Sequence, residues 1–341
     1  MNIVFIIPTG VGAEIGGHAG DATPAARLIG SVCDRIILHP NVVNAADINE
    51  MPSNSLYVDG YMLNRFLSGD IGLKPVRSNK VLVAINPREN NADAINAVAA
   101  CRATLGIDAE IIILNERLIL RSSFDKSGAA SGEVFGTDAL IGQVFDLDFD
   151  ALAVITEIET PDKVALNYFK NGGVNPWGAV EAMACYPISE ALSRPVAHAP
   201  IDSGVFNKLK IITDPRIAAE MVSTAFLFCV IKGLHTAPRW VSRTLFGHST
   251  VKGGKDSLYV EDVDLLVSPD MKFGTPHHLC LKHNVPILVV EENTTVLPPA
   301  DGDCVRVANY LEAAGWIASM RVGINPKAVR RPLDFTCITV N

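Results

Sequence analysis

The sequence lacks the features that would send it to a membrane or a nucleic acid. Its longest strongly apolar run, Ala225 to Ile231, falls far short of the ~20 residues that span a bilayer. Lys and Arg nowhere cluster into a stripe: the densest basic group is Lys327, Arg330 and Arg331, and the net charge is −8, from 29 basic and 37 acidic residues. That balance argues against a nucleic-acid partner. Met1 to Ile7 has no basic leader and runs straight into Pro8-Thr9-Gly10, so it reads as a buried strand rather than a signal peptide. The seven cysteines are scattered, odd in number and free of any C-x-x-C. This excludes a disulfide framework and points to a reducing, cytoplasmic setting. Also missing are G-x-x-x-x-G-K-[ST], G-x-S-x-G and H-E-x-x-H, the signatures of P-loop nucleotide binding, of a serine nucleophile and of a zinc hydrolase.

What is present is ample core material. Hydrophobic residues make up 48% of the 341 and charged residues 19%, a globular composition. Asn2 to Ile7 is a continuous apolar run, as in a strand covered on both faces. A glycine-rich loop follows, then a helix from Thr23, its expected N-cap, to Cys33, and a second strand at Arg35 to Leu38. Further strands are expected at Lys80 to Ile85, Glu110 to Leu114, Ala151 to Ile155, Val263 to Val267 and Pro286 to Val290. Helices are expected at Ala92 to Leu105 before Gly106, from Asp214 to Lys232 before Gly233, and from Val305 to Ala314 before Gly315. Residues 115–140 read as a loop or lid, and residues 171–204 as irregular. The fold class is α/β: a Rossmann-like, mostly parallel sheet with flanking helices. The chain reads as one unit, 1–341, with possible lobes 1–150 and 151–341, or with two lobes interleaved around one sheet.

The most informative segment is Pro8-Thr9-Gly10-Val11-Gly12-Ala13-Glu14-Ile15-Gly16-Gly17-His18-Ala19-Gly20-Asp21. Open α/β sheets bind ligands at such strand-to-helix loops, and glycines let backbone N–H groups approach an anion. Thr9, Gly10, Gly12, Gly16 and Gly17 are therefore candidate ligand contacts. The spacing Gly10-x-Gly12-x-x-x-Gly16 departs from G-x-G-x-x-G, and the second strand ends in His39-Pro40-Asn41 without the acidic residue that would hold a ribose. His39 sits where a general acid or base is expected, with Asp21 or Glu14 to orient it, and Asn41, Asn44 and Asp47 on the same edge. Asn175 and Trp177, in Val174-Asn175-Pro176-Trp177-Gly178, could close over a ligand. His198, rigidly flanked by prolines in Pro195 to Ser203, is a second catalytic candidate, Arg239 could clamp a carboxylate, and Glu292 and Asn293 end a buried strand in polar groups. A metal site assembled from His18, His39, His198 and Asp21 has no support in their spacing, and no cofactor is identified.

Several of these segments, with Ala19-Gly20-Asp21, Tyr57-Val58-Asp59-Gly60-Tyr61 and Ala197-His198-Ala199-Pro200, together resemble a family of bacterial, cyanobacterial and plastid proteins known only as a domain of unknown function. The resemblance runs along nearly the whole chain. It implies a single full-length family unit and brings no activity with it.

The residues themselves point to an enzyme doing acid–base chemistry, as an isomerase, lyase or hydrolase, on a small anionic metabolite. The alternatives are an NAD(P)-dependent oxidoreductase and a non-catalytic ligand-binding or structural subunit. The high apolar content also suggests a homo-oligomer.

Overall fold

A computed structural model describes residues 1–45, 48–88, 91–201, 211–222, 226–243, 245–246, 249–250, 256–333 and 335–338. Asp47, Asp202 and Ser203, and the middle of the helix expected from Asp214 to Lys232, lie outside the described residues.

The chain builds two parallel sheets. The larger has the strand order Val305–Val307, Ile287–Thr294, Leu265–Asp270, Asn2–Phe5, Arg35–Leu38, Ser55–Tyr57, with every neighbouring pair parallel. The smaller has the order Val196–Pro200, Ala151–Thr156, Val81–Ile85, Ala109–Ile113, again all parallel. Each order reverses once: between Asn2–Phe5 and Leu265–Asp270 in the first sheet, and between Val81–Ile85 and Ala151–Thr156 in the second. The fold is α/β with flanking helices. The six-stranded sheet draws on both ends of the chain, while the four-stranded sheet takes its strands from the middle, on either side of residue 150.

The continuous apolar runs follow from burial on both faces. Side chains alternate along a strand. Ile3, Phe5, Ile36 and Leu38 of the first sheet therefore share one core with Val81, Val83, Ile85, Ala153 and Ala199 of the second. Helices Thr23–Ser31, Ala92–Leu105, Phe226–His235 and Tyr310–Arg321 contribute to that common core. The opposite face of the first sheet, with Val4, Ile37 and Leu266, packs under Gly60–Leu67 and Thr275–Lys282. The opposite face of the second, with Leu82, Leu152 and Val154, packs under Thr137–Val144 and Gly178–Leu192.

Five expectations need correction. Thr23 is the first residue of its helix rather than the cap, and its hydroxyl donates to Val42 O at 3.4 Å. Residues 115–140 hold an antiparallel hairpin, Ile119–Phe124 with Ala130–Phe135, turned at Asp125 to Gly128. Its strands are rich in Ser and Gly because one face is solvated. The helix expected from Asp214 begins at Ala218, and its described later part, Phe226–His235, runs through Gly233 instead of ending before it. Val305 to Ala314 divides into the edge strand Val305–Val307 and the start of helix Tyr310–Arg321, which continues through Gly315. The irregular zone at 171–204 contains helix Gly178–Leu192 and strand Val196–Pro200.

Candidate active site

The C-terminal ends of five strands converge on a cavity of about 140 Å³ between the sheets. The six-stranded sheet supplies Thr9, then His39 and Asn41, then Asp59, just beyond its strands Asn2–Phe5, Arg35–Leu38 and Ser55–Tyr57. The four-stranded sheet supplies Ile158 and Thr160 after Ala151–Thr156, and His198 and Ile201 at the end of Val196–Pro200. Helix Gly178–Leu192 forms a wall with Gly178, Glu181, Ala182, Cys185 and Tyr186. Their spacing of three and four residues lays them on one helical face. Trp177, at the start of that helix, is pinned by its indole N–H, which donates to Thr160 Oγ1 at 2.9 Å.

Strand register places His198. It lies opposite Val154, so Thr156, two residues on, projects from the same face. Its Nδ1 lies 2.9 Å from Glu181 Oε1 and its Nε2 lies 2.8 Å from Thr156 Oγ1. In the neutral ring the carboxylate accepts Nδ1–H, and Nε2 accepts from the Thr156 hydroxyl. The order hydroxyl, imidazole, carboxylate is that of a nucleophilic triad. Accessibility decides against that use: Thr156 is 0% exposed and does not line the cavity, whereas the Glu181 side chain is 24% exposed and does. The end of the chain that meets a ligand is the carboxylate.

Across the cavity stands Glu220, on Ala218–Val222, only 3% exposed. Its Oε1 accepts from Ala19 N at 2.8 Å, the Tyr168 hydroxyl at 3.0 Å and Asn175 Nδ2 at 3.2 Å. Its Oε2 has no hydrogen-bond partner among the described residues. Burial pushes the carboxyl up to about 7, and the nearby Asp21 and Glu181 charges add to the rise, against the lowering hydrogen bonds from Ala19 and Tyr168. Behind it, His18 Nδ1 lies 2.6 Å from the Tyr168 hydroxyl. Burial first, then the Arg216 charge, pushes His18 down to about 4. Asp59 is also buried and raised to about 6, by burial, but its oxygens are engaged by Met62 N, Val196 N and the Ser189 hydroxyl, so it ties the two sheets together.

Of the residues singled out in the sequence, Thr9, His39, Asn41, Asn44, Asn175, Trp177 and His198 line this cavity. His39 is placed differently from a general base: its Nδ1 accepts from Asn41 N at 3.3 Å, capping the one-turn helix Pro40–Val43, and burial holds it near 4. Its lone-pair nitrogen is thus occupied. Asn44 is held between the Tyr57 hydroxyl and Asn49. Asp21 lies behind the lining, with Oδ1 buried and unpartnered, and burial raises it to about 7. Glu14 is on the surface, paired with Arg216 at 2.9 Å.

The glycine loop lies beside the cavity rather than around it. Gly10 packs on Ala130 and Ala179, and Gly12 on Val174. Gly16 meets the Ile7 side chain and Gly17 the Ala13 carbonyl, where a Cβ would come within 2.5 and 2.1 Å. The loop is laced to its neighbours by Ala130 N to Gly10 O and Glu14 N to Thr294 O, at 2.7 and 2.9 Å. Asn293, fully buried, extends this clamp by bonding both N and O of Ile15. Glu292 accepts from Tyr310 N at 3.0 Å. Arg239 pairs with Asp150 at 2.7 Å and with Asn79, away from the cavity. Glu181, Glu220 and Tyr168 were not singled out in the sequence. The available signal was an acid inside a strongly apolar helical stretch, as at Ala182-Met183-Ala184 after Glu181 and at Ala218-Ala219 before Glu220.

Two parallel sheets with titratable groups gathered at the C-terminal ends of their strands define an α/β protein with a ligand-sized cavity between the sheets. The chain belongs to the family described as "Protein of unknown function (DUF3326)", whose model matches residues 2–330. It is 36% identical to an uncharacterized lipoprotein of Synechococcus sp. (strain PCC 6301), over 96% of this chain and 93% of that protein. No solved structure matches. The relative's name runs against the cytoplasmic placement expected from the sequence, and that expectation is withdrawn. No helix among the described residues is long and apolar enough to cross a membrane.

Proposed function

We propose that this protein is an enzyme performing acid–base chemistry on a small metabolite bound in the cavity between the two sheets. The observation that carries the reading is a pair of carboxyl groups in unlike environments on one cavity: Glu220, buried and raised to about 7, and Glu181, partly open and bonded to His198. A carboxyl raised by burial is suited to give up a proton, and a second carboxyl on the same cavity is placed to take one. Glu220 is the general acid, with its unpartnered Oε2 as the donor. Glu181 is the general base. His198 fixes its orientation, and Thr156 fixes the imidazole in turn. Trp177, Ile158 and Ile201 form an apolar wall that limits water around the reacting groups.

The reaction class is an isomerisation, elimination or hydrolysis. A metal is not needed for such transfers between carboxyl groups, and no cluster of metal-binding side chains occurs among the described residues. The anion expected from the glycine loop is not retained in this proposal, because the described lining carries acids and no Lys or Arg.

The test is an activity screen. Wild-type protein is incubated with a metabolite extract, and changes are followed by mass spectrometry. Once a substrate is identified, Glu220→Gln and Glu181→Gln should each lower turnover by about 10²–10⁴-fold, the range for loss of a positioned acid or base. Undiminished turnover in both variants would sink the assignment.

A further inference from the structure

We infer that the ligand of this cavity carries an ammonium group, held by the Glu181 carboxylate against an aromatic wall. The inference names the substrate class for the acid–base reading and uses the same cavity.

Among the described residues the Glu181 side chain has one polar partner, His198, and that contact uses Oε1. The second carboxyl oxygen, Oε2, has no hydrogen-bond partner among the described residues, and Glu181 lines the cavity. A partly buried carboxylate without a compensating cation is costly, and an ammonium ion supplies that cation. Glu220 adds an independent pointer: a side chain 97% buried by exposed area, lining the cavity, with Oε2 unpartnered among the described residues. It offers an acceptor, when ionised, to a second N–H. Asp59, the remaining acid of the lining, is already engaged by Met62, Val196 and Ser189.

The walls suit a cation with an apolar body. Trp177, Tyr186 and Phe226 line the cavity, and aromatic faces attract ammonium groups. The volume of about 140 Å³ is close to the ~150 Å³ of a cavity that holds benzene, so the body is the size of one ring. A carboxylate ligand of the same size would face Glu181 with no Lys or Arg among the described lining residues to receive it.

The experiment is isothermal titration calorimetry of the full chain at pH 7.5 with benzylamine, benzyl alcohol and benzoate, which share shape and differ in charge. Benzylamine should bind at least tenfold tighter than the other two, and Glu181→Gln should reduce it to the level of benzyl alcohol. Benzoate binding as tightly as benzylamine, equal binding of all three, or no benzylamine binding would overturn the inference. The wild-type series stands alone if the variant fails to fold. Amine-selective binding combined with turnover insensitive to Glu220→Gln would keep the ligand class and reject the acid–base roles. Benzoate-selective binding with sensitive turnover would do the reverse.

Discussion

Two buried histidines in this molecule each bond a hydroxyl through Nε2, and their partners on the other nitrogen give them opposite characters. His277 Nδ1 accepts from Gly274 N at 3.2 Å, so its Nε2–H donates to Ser268, whose own proton goes to Pro269 O. His198 Nδ1 faces a carboxylate, so its Nε2 accepts from Thr156. Thr156→Val keeps the shape and leaves that nitrogen unsatisfied in the core. It should lower stability by about 1–3 kcal/mol in urea unfolding, with Thr156→Ser restoring most of the loss. Glu220 carries a pH signature. Its folded pKa, about 7, lies above the ordinary 4.5, so its contribution to stability is complete below pH 4.5 and is lost as pH rises to 7. Glu220→Gln removes that dependence. The variant should therefore gain on wild type between pH 4.5 and 7, by an amount on the order of 3 kcal/mol, since one pKa unit corresponds to about 1.4 kcal/mol. A constant difference across that range would show that the carboxyl is not raised.

At the scale of elements, parallel strands were the most legible feature, because burial on both faces writes an unbroken apolar run such as Val81 to Ile85. The hairpin at 119–135 was not, since its exposed face leaves Arg121, Ser123 and Glu133 among Ser and Gly that also suit a loop. Glycine misled at position 233 for a tertiary reason. Gly106 does end its helix, in a left-handed conformation at φ 66°. Gly233 sits within Phe226–His235 because the Tyr57 ring lies against it, leaving a Cβ only 2.5 Å from Cε2. Helix propensity alone would make Gly233→Ala stabilising by up to ~1 kcal/mol. The overpacking against Tyr57 should reverse the sign and cost about 1–3 kcal/mol in chemical denaturation. The site was half legible for a similar reason. Polar residues placed directly after buried strands, Thr9, His39, Asn41 and His198, reached the cavity, whereas Glu181 and Glu220 sit on helices, where a lone acid looks like a solvated face. The contact between Glu220 and Ala19, about two hundred residues apart, is a product of the fold and leaves no local pattern.

In the whole molecule the two sheets share a core between them, besides the one each packs on its far face. Residues of both, Phe5 and Val267 from the first and Val83 and Ala153 from the second, belong to the same buried cluster, and Asp59 caps a helix beside one sheet while bonding Val196 of the other. Calorimetry should accordingly show a single unfolding transition, with Asp59→Ala lowering its midpoint without splitting it; two resolved transitions in the wild type would mean that the sheets unfold independently. This arrangement encloses the cavity between the strand ends of both sheets and removes Glu220 from water. The most direct measurement is a carbon-13 NMR titration of the glutamate side-chain carboxyls, with Glu220→Gln used to assign the Glu220 resonance. A Glu220 midpoint near 7 is the expected result. A midpoint in the ordinary carboxylate range would contradict the proposal that Glu220 enters the reaction as an acid.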